Sequence, residues 1–335
     1  MTDTHNFIRY INSEALIECG VYEIDLAVES TKYSFLMHGH QECVLPPKTI
    51  FALPLSQSPI DRMAVLPAYV GGTVNFCGVK WLGSSSRNEN LGLPRASATI
   101  LLNCPLTGRL IAILEGSTIS AMRTAAVACI AVEYTRPNPY SLGCIGIGKI
   151  GQLTVDSLLC KFPTIKDVNI YGRSKEKLNA VTKILREKHP RCVFSQSTEI
   201  KSITLQSEVL ILSSTSAKPI IKIDSIPDDV LILNLSLRDA DESVFLNCDY
   251  IIIDDWQECC RRGKVIYALV KNGLLSKSDI YSDLGRLVAG IDAIPSKRPS
   301  RTMVFAAGLS IHDIAFASLL YQRSIDKNIG TLLEL

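Results

Sequence analysis

The spacing of apolar residues changes several times along this 335-residue chain. Over residues 13–38, Ile24, Val28 and Phe35 recur at helical spacing and Ser13 stands as a candidate cap, so helix is predicted there. Over residues 43–115 the pattern becomes short apolar runs, "MAVLPAYV", "VNFCGVKWLG", "SATILLN" and "RLIAILEG", divided by Pro, Gly, Asn and Ser. That punctuation predicts strands joined by tight turns. No helix-length segment separates them, so antiparallel pairing is expected. An Ala-rich helix is predicted from about Thr118 to Glu133, stopped by Pro137 and Pro139.

Beyond it the rhythm becomes β-α-β. "SLGCIGI" reads as a strand, "KIGQLTVDSLLCKF" as an amphipathic helix, "DVNIYG" as a second strand and "SKEKLNAVTKILREKH" as a second helix. Further strands are predicted at "EVLILSST", "DVLILNLS" and "YIIIDD". Such alternation implies a parallel, doubly wound sheet. The segment "IHDIAFASLLYQRSIDK" is predicted as a long apolar helix.

Composition narrows the function class. Net charge is +2, from 35 basic and 33 acidic residues, too balanced for an electrostatic nucleic-acid binder. No run of 18 apolar residues suggests a membrane span. The opening residues lack a charged segment followed by an apolar core, so no signal peptide is expected. The 11 cysteines form no C-x-x-C pair and are expected to be reduced, in a cytoplasmic protein. His38, His40 and Cys43 lack a fourth ligand, and no metal is expected there.

The clearest chemical motif is Gly146-x-Gly148-x-x-Gly151, between a predicted strand and a predicted helix. In that setting the first glycine allows the turn, the second lets the backbone approach a pyrophosphate, and the third lets helix and strand pack closely. The helix start, with Lys149 and Ile150, then faces the phosphates with free N–H groups. Loops after later strands, holding Ser214, Thr215 and Ser236, are expected to complete the cofactor site. NAD sites usually carry an acid after the second strand. This chain has Gly172-Arg173-Ser174-Lys175 instead, which suits a 2′-phosphate, so NADP is expected over NAD. Lys80 lies in an apolar strand, where an unpaired ammonium is costly, and Arg123 lies in the Ala-rich helix. Together they suggest a cationic pocket for substrate carboxylates.

The motifs "GVKW", "EGSTISAMRTAAV", "GCIGIGKIGQ", "DIYSDLGRLVAG" and "AAGLSIHDIAFASLLY" resemble the ornithine cyclodeaminase/μ-crystallin family, in the same order and over nearly the whole chain. The resemblance implies a Rossmann-type doubly wound domain, residues 121–307, inserted into a discontinuous α+β domain. The latter, residues 1–120 with 308–335, would bind substrate and form a homodimer. It also implies roles. Lys80 would stand beside the reacting carbon, and Arg123 would clamp an α-carboxylate. Thr124 would face the cofactor, Arg62 would be a second carboxylate clamp, and Asp313 would face the pocket. Asp239 falls at the position of a catalytic aspartate, expected to act as general base.

Stretches such as "GVKWLGSSSRNENLGLPRASATILLN" and the ending "NIGTLLEL" are most similar to the branch that forms 2,3-diaminopropionate for siderophores or peptide antibiotics. That implies an NAD(P)-dependent dehydrogenase cleaving N-(2-amino-2-carboxyethyl)-L-glutamate to 2,3-diaminopropionate and 2-oxoglutarate. The family also holds ornithine cyclodeaminases, and ketimine-reducing or non-catalytic NADPH-binding crystallins. Here Leu237-Arg238 precedes Asp239 where the cyclodeaminases have Gly-Gly, and Ala64 or Val65 replaces their acid. Both departures count against ornithine cyclisation.

Overall fold

A computed structural model describes residues 7–53, 56, 61–236, 238–294 and 301–334; Leu237 lies outside them. The chain divides into two compact units, Met1–Arg123 with Leu309–Leu335, and Thr124–Gly308.

The first unit opens with β1 (Phe7–Ile11), α1 (Ser13–Glu18) and α2 (Ile24–Gly39). The single helix expected over residues 13–38 is thus two. Gly20 between them takes φ +88°, a left-handed conformation that favours glycine and ends the first helix. Asn12 caps α1, not Ser13: its side chain accepts from the Ala15 N–H at 2.9 Å. Next come β2 (Cys43–Val44), β3 (Thr49–Ala52), β4 (Arg62–Val70), β5 (Phe76–Ser84), β6 (Ala96–Asn103) and β7 (Leu110–Glu115), then α3 (Gly116–Thr135).

Strands β2 to β7 pair antiparallel, as their turn chemistry predicts, while β1 joins β7 in parallel. Along β4 the residues Ala64, Leu66, Ala68 and Val70 are buried and their neighbours are not, the period-2 pattern of a sheet with one covered face. Lys80 of β5 stands opposite Leu66 and Ile100, so its side chain leaves the sheet on that covered, apolar face.

In the second unit the elements are β8 (Ser141–Ile145), α4 (Lys149–Lys161), β9 (Asp167–Tyr171), α5 (Lys175–Lys188), β10 (Val193–Gln196), α6 (Ile200–Leu205) and β11 (Val209–Leu212). They continue with β12 (Val230–Asn234), α7 (Glu242–Leu246), β13 (Tyr250–Ile253), α8 (Trp256–Cys259), α9 (Val265–Lys271), β14 (Ser282–Asp283), α10 (Leu284–Val288) and β15 (Arg301–Phe305). The strands form one fully parallel sheet in the order β10-β9-β8-β11-β12-β15-β13-β14. Strands β11 and β12 are buried at every position, which is why they read as unbroken apolar runs. The order reverses between β8 and β11, the switch point where doubly wound sheets leave a ligand crevice at their carboxyl ends.

The chain then returns to the first unit as α11 (Ser310–Asp326) and β16 (Thr331–Glu334), the latter antiparallel to β1. Helix α11 lies on the same sheet face that carries Lys80. A Cβ at Gly78 would sit 2.9 Å from Ile314 Cδ1 and 2.2 Å from the Leu101 carbonyl oxygen, so glycine is needed there. The Ser310 hydroxyl also donates to the Pro67 carbonyl oxygen at 2.7 Å. No helix among the described residues is long and apolar enough to cross a membrane.

Candidate active site

Lys80 is 2% exposed, and burial of an ammonium demands partners. They come from distant parts of the chain. Lys80 Nζ donates to Asp313 Oδ2 at 2.6 Å and to the Ser120 hydroxyl at 3.0 Å. Arg123 Nε donates to the other carboxylate oxygen, Asp313 Oδ1, at 3.1 Å, and Arg123 Nη2 to the same Ser120 hydroxyl at 3.3 Å. One strand, β5, and two helices, α3 and α11, thus converge on a single buried carboxylate that serves two cations.

The charges do not balance. With Lys80 protonated, Lys80 and Arg123 carry two positive charges against the one negative charge of Asp313. A buried surplus of positive charge favours an incoming anion. It also loosens the proton on Lys80. Burial lowers its ammonium from the ordinary lysine range to about 7; Asp313 opposes that fall and Arg123 reinforces it. For Asp313, burial pulls upward, but Arg123 and then Lys80 outweigh it and hold the carboxyl below its ordinary range. Lys80 can therefore give or take a proton near neutrality, whereas Asp313 stays ionised.

One contributor to this cluster was not singled out from the sequence: Ser120, whose only signal is its i, i+3 spacing from Arg123 on α3. His312 precedes Asp313, but no nucleophile motif accompanies the pair in the sequence, so no triad is read there. His312 is fully buried, and burial together with Arg123, His38, Lys80 and Lys48 keeps it neutral, far below the usual histidine range. The Ser34 hydroxyl donates to the Thr31 carbonyl oxygen at 2.8 Å and lies 2.7 Å from His312 Nδ1. A hydroxyl has one proton, so Nδ1 must carry its own and donate to Ser34. Arg62 begins β4 on the same face as Leu66, the partner of Lys80. Four residues of strand separate Arg62 from Leu66, about 13 Å.

The second unit holds the glycine turn. Gly146 takes φ +98°, and a Cβ there would meet the Ser214 nitrogen at 2.6 Å. A Cβ at Gly151 would come 2.1 Å from the Gly146 carbonyl oxygen, so the first turn of α4 packs against the loop only because that residue is glycine. Nothing lies within 4 Å of a Cβ built on Gly148, which leaves its backbone open to a ligand. Gly148 is also the N-cap of α4 and supplies no side-chain acceptor, so the positive end of the helix is left open to an anion. These residues fit a dinucleotide pyrophosphate.

Around the turn, the Ser213 hydroxyl donates to the Gly146 carbonyl oxygen at 2.7 Å. Ser214 binds Asp239 twice: its N–H donates to Oδ2 at 2.8 Å and its hydroxyl to Oδ1 at 2.5 Å. Ser236 accepts from the Asp239 N–H at 3.2 Å and donates to Asn234 Oδ1 at 2.9 Å. Asp239 is fully buried, and its two bonds to Ser214 make it a strut for the loop after β11. Beyond β9, Ser174 caps α5 by accepting from the Lys177 N–H at 3.3 Å. Arg173 is exposed and reaches Thr215 Oγ1 at 3.4 Å. Thr124 is half-buried on α3, the first residue of this unit.

Comparison with known proteins gives these two halves a context. Residues 37–328 match the model of the ornithine cyclodeaminase/mu-crystallin family. An N-((2S)-2-amino-2-carboxyethyl)-L-glutamate dehydrogenase of Staphylococcus aureus is 32% identical, over 97% of this chain and 98% of its own. An alanine dehydrogenase of Archaeoglobus fulgidus is 25% identical, over 93% and 94%. Among solved structures, a Thermococcus litoralis Delta(1)-pyrroline-2-carboxylate reductase in complex with NADH and L-proline superposes with a TM-score of 0.87. It is 22% identical and is covered over 99% of its length by 97% of this chain.

Proposed function

Because this chain belongs to the ornithine cyclodeaminase/mu-crystallin family, we propose that it oxidises N-(2-amino-2-carboxyethyl)-L-glutamate at the glutamyl C–N bond, releasing 2,3-diaminopropionate and 2-oxoglutarate. At the coarser level it is a nicotinamide-dependent oxidoreductase acting on an amino-acid CH–NH bond. The observation that carries the finer reading is the buried convergence of Lys80 and Arg123 on Asp313, which sets a guanidinium for a carboxylate beside an amine that exchanges its proton near neutrality, as an amino-acid substrate requires. The end-to-end match with the staphylococcal dehydrogenase supports it.

Arg123 holds the α-carboxylate of the reacting carbon, with Arg62 as a second clamp for the remaining carboxylates. An oxidised nicotinamide, when bound, would supply the hydride acceptor for that carbon. Lys80 in its neutral form takes the N–H proton as the C=N bond forms. Water then adds to the imine carbon and the C–N bond breaks, which frees the primary amine and the 2-oxo acid. The balance is one substrate, one water and one oxidised cofactor giving two products, one reduced cofactor and one proton. Asp313 keeps Lys80 and Arg123 in place. Asp239 holds the Ser214 loop, and the N-terminus of α4 would hold the pyrophosphate. The exposed guanidinium of Arg173, with no acid beside it at the end of β9, favours a 2′-phosphate and so NADP over NAD. The first unit is proposed as the surface of a homodimer.

The test is to incubate the protein with this substrate and either oxidised cofactor, follow reduced-nicotinamide absorbance, and identify both products by mass spectrometry. Stoichiometric reduced cofactor with 2-oxoglutarate and 2,3-diaminopropionate is expected. Conversion of ornithine without net cofactor reduction, and no reaction on the proposed substrate, would overturn the reading in favour of a cyclodeaminase.

A further inference from the structure

On the parallel-sheet unit, along α4 beyond the glycine turn and at the end of α5, three different metal-ligating side chains meet. Asp156 and Cys160 lie four residues apart on α4, the spacing that places two side chains on one helix face. His189 is the C-cap residue of α5 and is 4% exposed. One ligand atom from each lies within 4.8 Å of the other two. His189 Nε2 is 2.6 Å from Asp156 Oδ1, and the ammonium of Lys188 is 2.5 Å from Asp156 Oδ2. A cationic group is thus already seated on the carboxylate. Lys188 is half-exposed and can swing into solvent.

We infer that Asp156, Cys160 and His189 form a three-ligand site for a borderline divalent cation such as zinc. The donor set decides the class of ion. A thiolate and an imidazole favour zinc or cobalt over magnesium or calcium, which prefer all-oxygen sites. Zinc bonds of about 2.0 to 2.3 Å in a tetrahedron separate ligand atoms by about 3.3 to 3.8 Å. The cluster reaches that geometry if the Asp156–His189 hydrogen bond opens by somewhat under an ångström and the Cys160 sulfur, within 4.8 Å of both partners, settles into the same range. Cys160 is exposed, so the fourth position is open to water. On binding, the Cys160 thiol loses its proton to solvent, the ion bonds to the thiolate, to Nε2 and to the carboxylate, and Lys188 is displaced. Affinity therefore rises with pH. The site would staple α4, whose N-terminus carries the glycine turn, to the end of α5. Sequence alone gives little signal for it, because the ligands come from two helices and follow no familiar spacing.

The test uses the full-length protein, stripped with a chelator and titrated with cobalt(II). One equivalent is expected to bind with a thiolate-to-cobalt charge-transfer band, to be displaced by zinc, and to raise the melting temperature. Cys160→Ser changes an exposed residue and should abolish the band. Asp156→Asn should weaken binding by more than about tenfold. Absence of saturable one-equivalent binding, or a band that survives Cys160→Ser, overturns the site. Loss of the band in Cys160→Ser with unchanged affinity in Asp156→Asn reduces it to a single thiol and overturns it equally. Circular dichroism of both variants separates loss of ligands from loss of fold.

Discussion

Asp313 Oδ2 lies 2.6 Å from Lys80 Nζ across 233 residues of sequence, and both side chains are out of solvent. The pair ties the middle strand of the antiparallel sheet to the helix formed after the chain has returned from the parallel-sheet unit. A second cation, Arg123, occupies the other oxygen of the same carboxylate. This sharing sets both the charge surplus and the proton affinity of Lys80, and most of the expected behaviour below follows from it.

Replacing Lys80 with alanine removes the proposed proton acceptor while leaving the glycine turn intact. Turnover is expected to fall by about 100- to 10,000-fold, the range for a general acid–base group. Affinity for the nicotinamide cofactor, read by fluorescence titration, should stay near that of the parent. A loss of less than tenfold would remove Lys80 from the mechanism.

A neutral Lys80 is the active form in the oxidative direction, so kcat/KM should rise with pH through about 7 and then level off. Asp313 supports the proton on Lys80, so in Asp313→Asn the inflection should move to lower pH. Stability has a matching sign. Between about 7 and the ordinary lysine range the unfolded chain holds one more proton at this position than the folded chain, so stability rises with pH there. A profile for the parent that falls through pH 7 would assign the protonated lysine to catalysis.

Asp313→Asn also leaves the buried Arg123 guanidinium facing a neutral amide, beside a Lys80 that has lost its proton. Removing one partner of a buried ion pair costs about 3–5 kcal/mol. Chemical denaturation at neutral pH should show a loss of this order. A change under about 1 kcal/mol would mean that the cluster is more hydrated than its burial indicates.

Arg173→Asp tests the cofactor reading. A charge-assisted hydrogen bond to a 2′-phosphate is worth about 1.5–3 kcal/mol, roughly ten- to a hundredfold in affinity. The parent should bind NADPH more tightly than NADH, and the variant should reverse the order. Tighter NADH binding by the unmodified protein would sink the expectation.

Asp239→Asn separates a strut from a base. Its two bonds to Ser214 hold the loop beside Gly146, so the variant should bind cofactor more weakly, with KM for the cofactor rising more than kcat falls. Unchanged cofactor affinity with a large loss of kcat would return Asp239 to proton transfer.

Much of the architecture was legible before the structure because its signals are local. Unbroken apolar runs marked the central parallel strands, short punctuated runs marked the antiparallel sheet, and the glycine spacing marked the turn after β8. In each case the signal reflects steric or burial demands on neighbouring residues. What sequence did not reveal was set by partners far along the chain. Edge strand β16 has all four residues exposed and so no alternation to read; its pairing with β1 is what defines it. The division of residues 13–38 into two helices turned on the backbone of one glycine. Lys80 in an apolar strand posed a question that its neighbours in sequence do not answer. The answer, one carboxylate shared with Arg123 and a proton loosened by burial, exists only once β5, α3 and α11 are packed together. Electrostatic energy depends on distance and burial in three dimensions, and those are properties of the tertiary structure.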